Sequence, residues 1–307
     1  MTPILLKAVK NEENYKKRVS RTEIFLGKDE LEWKQSQDII ASSTIGIAGC
    51  GGIGGAMALR LARFGVKKLK LADPDSFDWS NLNRQYGASI DTIGRNKAEV
   101  VGDLVFNLAK DVEIEIYPDG ITTDNAESFV DGCDLVLDQL DFYVINEKFA
   151  LHKAFRNCDK TKLILACSVV GWAAHLYKFE KNSMPIEKWY RIDGNETLPE
   201  LTEKLATLWA PKLPHFPSYE KMLGWMLEKD TVPIFAGTPP LAEGILIQRV
   251  ILALIDKEYP PYAKWLPPIP QMYVYDAATL TGEIVTADGN YKNREELKIM
   301  WQHYIDE

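Results

Sequence analysis

Six residues, Gly49-Cys50-Gly51-Gly52-Ile53-Gly54, carry the sharpest chemical signal in the chain. They follow the β-branched run Ser43-Thr44-Ile45-Gly46-Ile47 and precede the small-residue stretch Gly55-Ala56-Met57-Ala58-Leu59, which reads as strand, turn and helix. Bare backbone at Gly49, Gly51, Gly52 and Gly54 can approach a phosphate, and the start of the helix faces it with partial positive charge. The next strand ends on Asp73, about 20 residues on, where a carboxylate can accept hydrogen bonds from ribose hydroxyls. A nucleotide ligand is expected. A nicotinamide-dependent oxidoreductase shares these features, so the residues beyond Asp73 must discriminate. Arg84 and Lys97 add two cations suited to a triphosphate, whereas a dinucleotide pyrophosphate is held mainly by backbone and helix dipole.

The elements that must position these groups alternate. After the strand through Asp73, Asp91–Lys110 has helical spacing, then Val112–Pro118 and Cys133–Leu140 read as strands. A helix follows over Ile145–Cys158, then strands in Lys162–Val170 and Gly171–Glu180. Such alternation predicts an α/β fold with a mainly parallel sheet, helices on both faces, and ligands outside the carboxyl ends of the strands. Residues 1–40 form a charged helical segment and 41–180 the nucleotide-binding part. Residues 181–235, with several prolines and the aromatics Trp189, Tyr190, Trp209, Phe216, Tyr219 and Trp225, read as a crossover or substrate-binding lid. Residues 236–307 complete the domain with a Pro-Gly-entered apolar helix and an antiparallel hairpin in Met272–Val285.

Composition excludes several function classes. At 307 residues, 46% apolar, the chain can bury a substantial core. A net charge of -8 argues against nucleic acid as the main partner. No apolar run reaches the roughly 20 residues of a spanning helix, and the N-terminal stretch turns charged too early for a secretory signal, so no membrane partner and a cytoplasmic location are expected. Cys50, Cys133, Cys158 and Cys167 form no CxxC pair and read as reduced thiols, with no structural zinc expected. His152, His175, His215 and His303 read as isolated polar residues.

Beyond the glycine loop the likeness to one family is extended. The chain resembles the ThiF/MoeB/HesA enzymes and the adenylation half of ubiquitin-type E1 activators. Their nucleotide segment has GxGGxG, a strand ending D-x-D, then SNLxRQ and a later lysine. Here these are Gly49 to Gly54, Asp73-Pro74-Asp75, Ser80-Asn81-Leu82-Asn83-Arg84-Gln85, and Lys97. The resemblance implies a Rossmann-like fold that uses ATP and Mg2+, with Asp73 and Asp75 in the nucleotide segment and Asn81, Arg84, Gln85 and Lys97 on the phosphates. It puts Asp141 in the place of the magnesium-binding aspartate, with Asp138 as the substitute. It also implies a homodimer in which Arg21, or else Arg18, reaches the partner's ATP site.

The chemistry this implies is formation of an acyl-adenylate with release of pyrophosphate, with Arg21, Arg84, Lys97 and Asp141 catalytic. Three departures bear on the substrate: the family's zinc-binding CxxC pairs are absent, no cysteine follows Cys167, and Asp141-Phe142-Tyr143-Val144-Ile145-Asn146 replaces D-N-x-x-x-R. The expected substrate is therefore a ribosomal precursor peptide, as in the microcin- and pantocin-type maturation enzymes, whose activated Glu or C-terminal carboxyl meets an internal nucleophile. The alternatives are the C-terminal glycine of a ubiquitin-like sulfur carrier, an NAD(P)-dependent oxidoreductase, and an inactive E1-like binding module.

Overall fold

The computed structural model describes residues 2–286, except 194, 198–199 and most of 201–232, of which only 204, 212, 216–218, 221 and 225 are described. Trp209, Tyr219, His215 and His303 therefore lie outside the described residues. Two compact units emerge, Met1–Cys167 with Glu243–Trp265, and Ser168–Ala242 with Leu266–Glu307.

The first unit opens with a short strand, β1 (Ile4–Leu6), and two helices, α1 (Glu12–Val19) and α2 (Glu30–Ser42). Each helix starts on a side-chain cap, Asn11 accepting from Asn14 N–H and Asp29 from Glu32 N–H, which satisfies amides that have no partner within the helix. The alternating part follows as β2 (Thr44–Ala48), α3 (Gly54–Phe64), β3 (Lys68–Ala72), α4 (Lys97–Ala109), β4 (Glu113–Tyr117), α5 (Ala126–Val130), β5 (Leu135–Asp138), α6 (Ile145–Asn157) and β6 (Leu163–Val170). β2 pairs in parallel with β3 and β5, β3 with β4, and β5 with β6, while β1 joins β4 antiparallel. The central strands are buried almost end to end, as expected of parallel strands covered on both faces.

The strand order β4-β3-β2-β5-β6 reverses direction between β2 and β5. Right-handed crossovers then set α3 and α4 on one face, where they pack together, and α5 and α6 on the other, where they do the same. The reversal opens a crevice at the carboxyl ends of β2 and β5, the place where open α/β sheets bind ligands.

In the second unit β7 (Ala173–Glu180), β8 (Gln271–Asp276) and β9 (Thr281–Thr286) form an antiparallel ladder. The one-turn helix α7 (Ile186–Tyr190) sets Trp189 against Tyr177 and Phe179, at ring-centroid distances of 5.3 and 5.9 Å. The helix expected after the Pro-Gly entry is α8 (Thr238–Leu254), which belongs to the first unit from Glu243 onward. The fold is thus α/β, with a mainly parallel core and an antiparallel C-terminal part as the pattern predicts. β1 was not anticipated.

Candidate nucleotide site

The glycine loop sits at the reversal point. Gly49 has φ +98°, left-handed backbone that side chains resist, and a Cβ on it would lie 2.4 Å from the Gln139 carbonyl oxygen. The loops after β2 and β5 are therefore in backbone contact, and Gln139 N–H donates to Ala48 O at 2.7 Å. A Cβ at Gly54 would lie 1.8 Å from the Gly49 carbonyl oxygen. Gly51 is different: the nearest atoms to a Cβ there are those of the Gln85 amide, at 3.8–3.9 Å. Helix α3 opens behind this loop with no side-chain cap, whereas α1, α2 and α4 each have one. Its first N–H groups point toward the crevice without a competing side-chain acceptor.

Asp73 follows β3 and is 5% exposed. Its Oδ2 accepts from Cys50 N–H at 2.7 Å and its Oδ1 from Asp75 N–H at 2.9 Å. Burial pushes its carboxyl pKa up, against the pull of Lys97 and the two amides. A carboxylate has about four lone-pair sites, so two amides leave room for ribose hydroxyls. Lys97, the first residue of α4 and 8% exposed, is held by Asp75 at 2.9 Å. Asn81 closes a 3-10 turn (Trp79–Asn81), and its Oδ1 accepts from Asp78 N–H at 3.1 Å.

That turn delivers Arg84 and Gln85. Arg84 donates to Ser80 O and Asn83 Oδ1 at 3.1 and 3.0 Å. Partial burial pushes its pKa down, while the charge of Asp141 raises it. Gln85 is 8% exposed and its Oε1 is buried without a hydrogen-bond partner. An amide oxygen buried without a partner beside the bare Gly51 backbone is compatible with a polar ligand there. Since oxygen and nitrogen exchange by a flip, the amide can present a donor to an anion.

Asp141 is exposed in the loop after β5 and accepts from Tyr143 OH at 2.9 Å. Asp138, its possible substitute, is consumed: its carboxylate takes Lys148 Nζ at 2.7 Å on both oxygens and meets His152 Nε2 at 2.9 Å. Burial pushes Asp138 up, yet these partners outweigh it and hold the pKa at about 2. His152 is thus not the isolated polar residue expected, and Lys148 was not anticipated. Their spacing, four apart on a helix and ten from a strand-end aspartate, is the trace they leave in the sequence. Among the described residues no group of three or more His, Cys, Asp or Glu side chains could hold a metal. Magnesium bound through one carboxylate and substrate phosphates needs no such group, so Asp141 alone is compatible with it.

Of the two N-terminal arginines, Arg18 is tied within its own chain, donating to both oxygens of Asp111 at 2.8 and 3.1 Å. Arg21 is exposed. No described helix is long and apolar enough to cross a membrane.

Comparison with known proteins follows this geometry. The chain is 34% identical over 117 residues to the adenylyltransferase and sulfurtransferase UBA4 of Candida albicans, covering 37% of this chain and 27% of that protein. It is 33% identical over 123 residues to the tRNA threonylcarbamoyladenosine dehydratase of Bacillus subtilis, covering 40% and 46%. The match therefore spans less than half the length of either relative. Among solved structures the fold resembles that of PaaA, with TM-score 0.64, 17% identity, and 92% and 85% of the two chains covered. It also resembles Escherichia coli MccB with MccA-N7isoASN, with TM-score 0.65, 15% identity, and 91% and 72% covered. The model of the ThiF family matches residues 22–287, most of the sequence, and the chain belongs to that family.

Proposed function

We propose that this chain adenylates a carboxylate. One carboxylate oxygen attacks the α-phosphorus of ATP, a P–O bond forms there, and the bond to the departing pyrophosphate breaks. The observation that carries this reading is the unpaired Gln85 amide oxygen beside bare Gly51 backbone at the strand-order reversal. The chain's own residues orient and neutralise: glycine-loop amides and the start of α3 hold phosphate oxygens, Asp73 holds the ribose, and Arg84 and Lys97 balance charge as pyrophosphate leaves. Asp141 would hold Mg2+, which supplies neutralisation of the phosphate oxygens. Arg21 adds a cation to the partner subunit's site in a homodimer.

For the substrate, a ribosomal precursor peptide is the reading we favour, its Glu side chain or C-terminal carboxyl being activated and then attacked from within. Burial of three of the four thiols, all but the half-buried Cys158, supports it over a thioester relay. Cys50 and Cys167 are buried with their pKa values pushed up by desolvation, and Cys133 is pushed up to about 12. A relay needs an accessible thiolate. The fold likeness to the microcin C7 biosynthetic enzyme MccB, solved with N-formylated MccA, points the same way. The likeness to UBA4 favours a second reading, activation of a sulfur carrier's C-terminal glycine.

ATP–pyrophosphate exchange tests both, with acidic peptides and a Gly-Gly-ended carrier as acyl donors. Exchange with a peptide supports the first reading and exchange with the carrier the second. Asp141→Ala is expected to lose at least about 100-fold in exchange rate while keeping its fold. Binding of NADH in place of ATP would overturn the proposal.

A further inference from the structure

A buried ion pair in the first unit, with a histidine beside it, is used by none of the steps above. Lys148, Asp138 and His152 have side chains 7%, 1% and 2% exposed. Replacing such a group with apolar residues of similar size is often neutral or stabilising, so its presence asks for a reason other than stability. The hydrogen bonds supply one. An ammonium has three donors, and all three of Lys148 are spent: on Asp138 Oδ1, on Asp138 Oδ2, and on the Leu140 carbonyl at 3.1 Å. Asp138 Oδ1 in turn accepts from Leu140 N–H at 3.1 Å. Both polar groups of Leu140 are thus captured by one ion pair, immediately before Asp141. The preceding residue, Gln139, is the one whose carbonyl abuts Gly49.

We propose that Lys148 is a positioning residue which, with Asp138 and His152, clamps the Gln139-Leu140-Asp141 turn against the glycine loop and so fixes where Asp141 meets the nucleotide. This rests on the adenylation reading. Helical spacing makes the device possible: Lys148 and His152 are four residues apart on α6 and project from one face toward the end of β5.

The test compares wild type with the double variant Asp138→Asn/Lys148→Met, which removes both charges of the ion pair together, so that neither is left buried without the other. A second variant, Lys148→Arg, keeps the charge, but a planar fork cannot reproduce three donors from one nitrogen. Three quantities are measured: amide hydrogen exchange over residues 139–144 without nucleotide, ATP affinity with and without Mg2+, and ATP–pyrophosphate exchange. In both variants the turn is expected to lose protection while the rest of the first unit stays protected. The gain in ATP affinity on adding Mg2+ should vanish, and exchange should fall about 100-fold in kcat. Adding Asp141→Ala to the double variant should then cost little more, because the two act as a unit. Unchanged protection of the turn in Lys148→Arg, or a double variant with exchange within about threefold of wild type, overturns the proposal. Wild type that binds no ATP sinks the adenylation reading instead, and hydrogen exchange still decides whether the clamp exists.

Discussion

Replacing Gly51 by alanine separates a loop shaped by a ligand from one shaped by its own packing. The added Cβ would find only the Gln85 amide, at 3.8–3.9 Å, an ordinary contact, and Gly51 is not among the glycines with positive φ. Without nucleotide the variant should therefore match wild type or gain about 0.4–1 kcal/mol from a less flexible unfolded chain. If ATP phosphates lie against this backbone, the same methyl intrudes on them at the usual overpacking penalty of about 1–3 kcal/mol. That is a Kd weaker by about 5- to 150-fold. Urea denaturation without ligand gives the first quantity and calorimetric ATP titration the second. The signature is the divergence of the two. A Gly51→Ala protein of normal stability that binds ATP as wild type does would refute the idea that phosphate approaches this backbone.

Gly54→Ala should behave oppositely, since its Cβ meets the Gly49 carbonyl oxygen at 1.8 Å whether or not nucleotide is present; melting should show about 1–3 kcal/mol of lost stability. Arg18→Ala leaves Asp111 buried without its partner and should cost about 3 kcal/mol in urea melts. Arg21→Ala should stay within about 0.5 kcal/mol of wild type yet lose exchange. Mixing Arg21→Ala with Arg84→Ala subunits should restore exchange if Arg21 serves the partner's site, and no recovery counts against that arrangement. For pH, burial pushes His175 from 6.5 down to about 4, so between those values the unfolded chain binds the extra proton and stability is lost as the pH drops. The loss is about 2 kcal/mol between pH 7 and 5, and His175→Leu should flatten it. Asp138, held at about 2 against an ordinary 3.8, adds its loss only below pH 4, as protonation breaks its ion pair.

The parts of the fold legible in the sequence are those whose physics is local. β2 and β5 are buried on both faces and read as apolar runs, and Gly49 and Gly54 mark the turn because a side chain at either would strike backbone. β1 escaped notice because three residues, Ile4–Leu6, carry no periodicity, and its pairing with Ile114–Ile116 is a long-range event. The choice between Arg18 and Arg21 depends on Asp111, 93 residues beyond Arg18. Lys148 and His152 looked like ordinary members of a polar helix, and only the placement of α6 beside the end of β5 turns them toward Asp138. Gln85 could be named from the motif. That its amide oxygen would be buried and unpaired required the packed structure.

Asp73 also constrains any redesign of this protein. Its carboxylate is the acceptor for the Cys50 amide within the glycine loop as well as the group we propose for the sugar. An amide in its place, chosen to accept a different ribose or a phosphorylated one, would turn a donor toward Cys50 N–H or surrender one oxygen to it. Sugar preference and phosphate grip therefore cannot be tuned as separate knobs. A library aimed at new nucleotide cosubstrates should vary Asp73 jointly with residues 49–52, because single changes at Asp73 alter the loop before they alter what it selects.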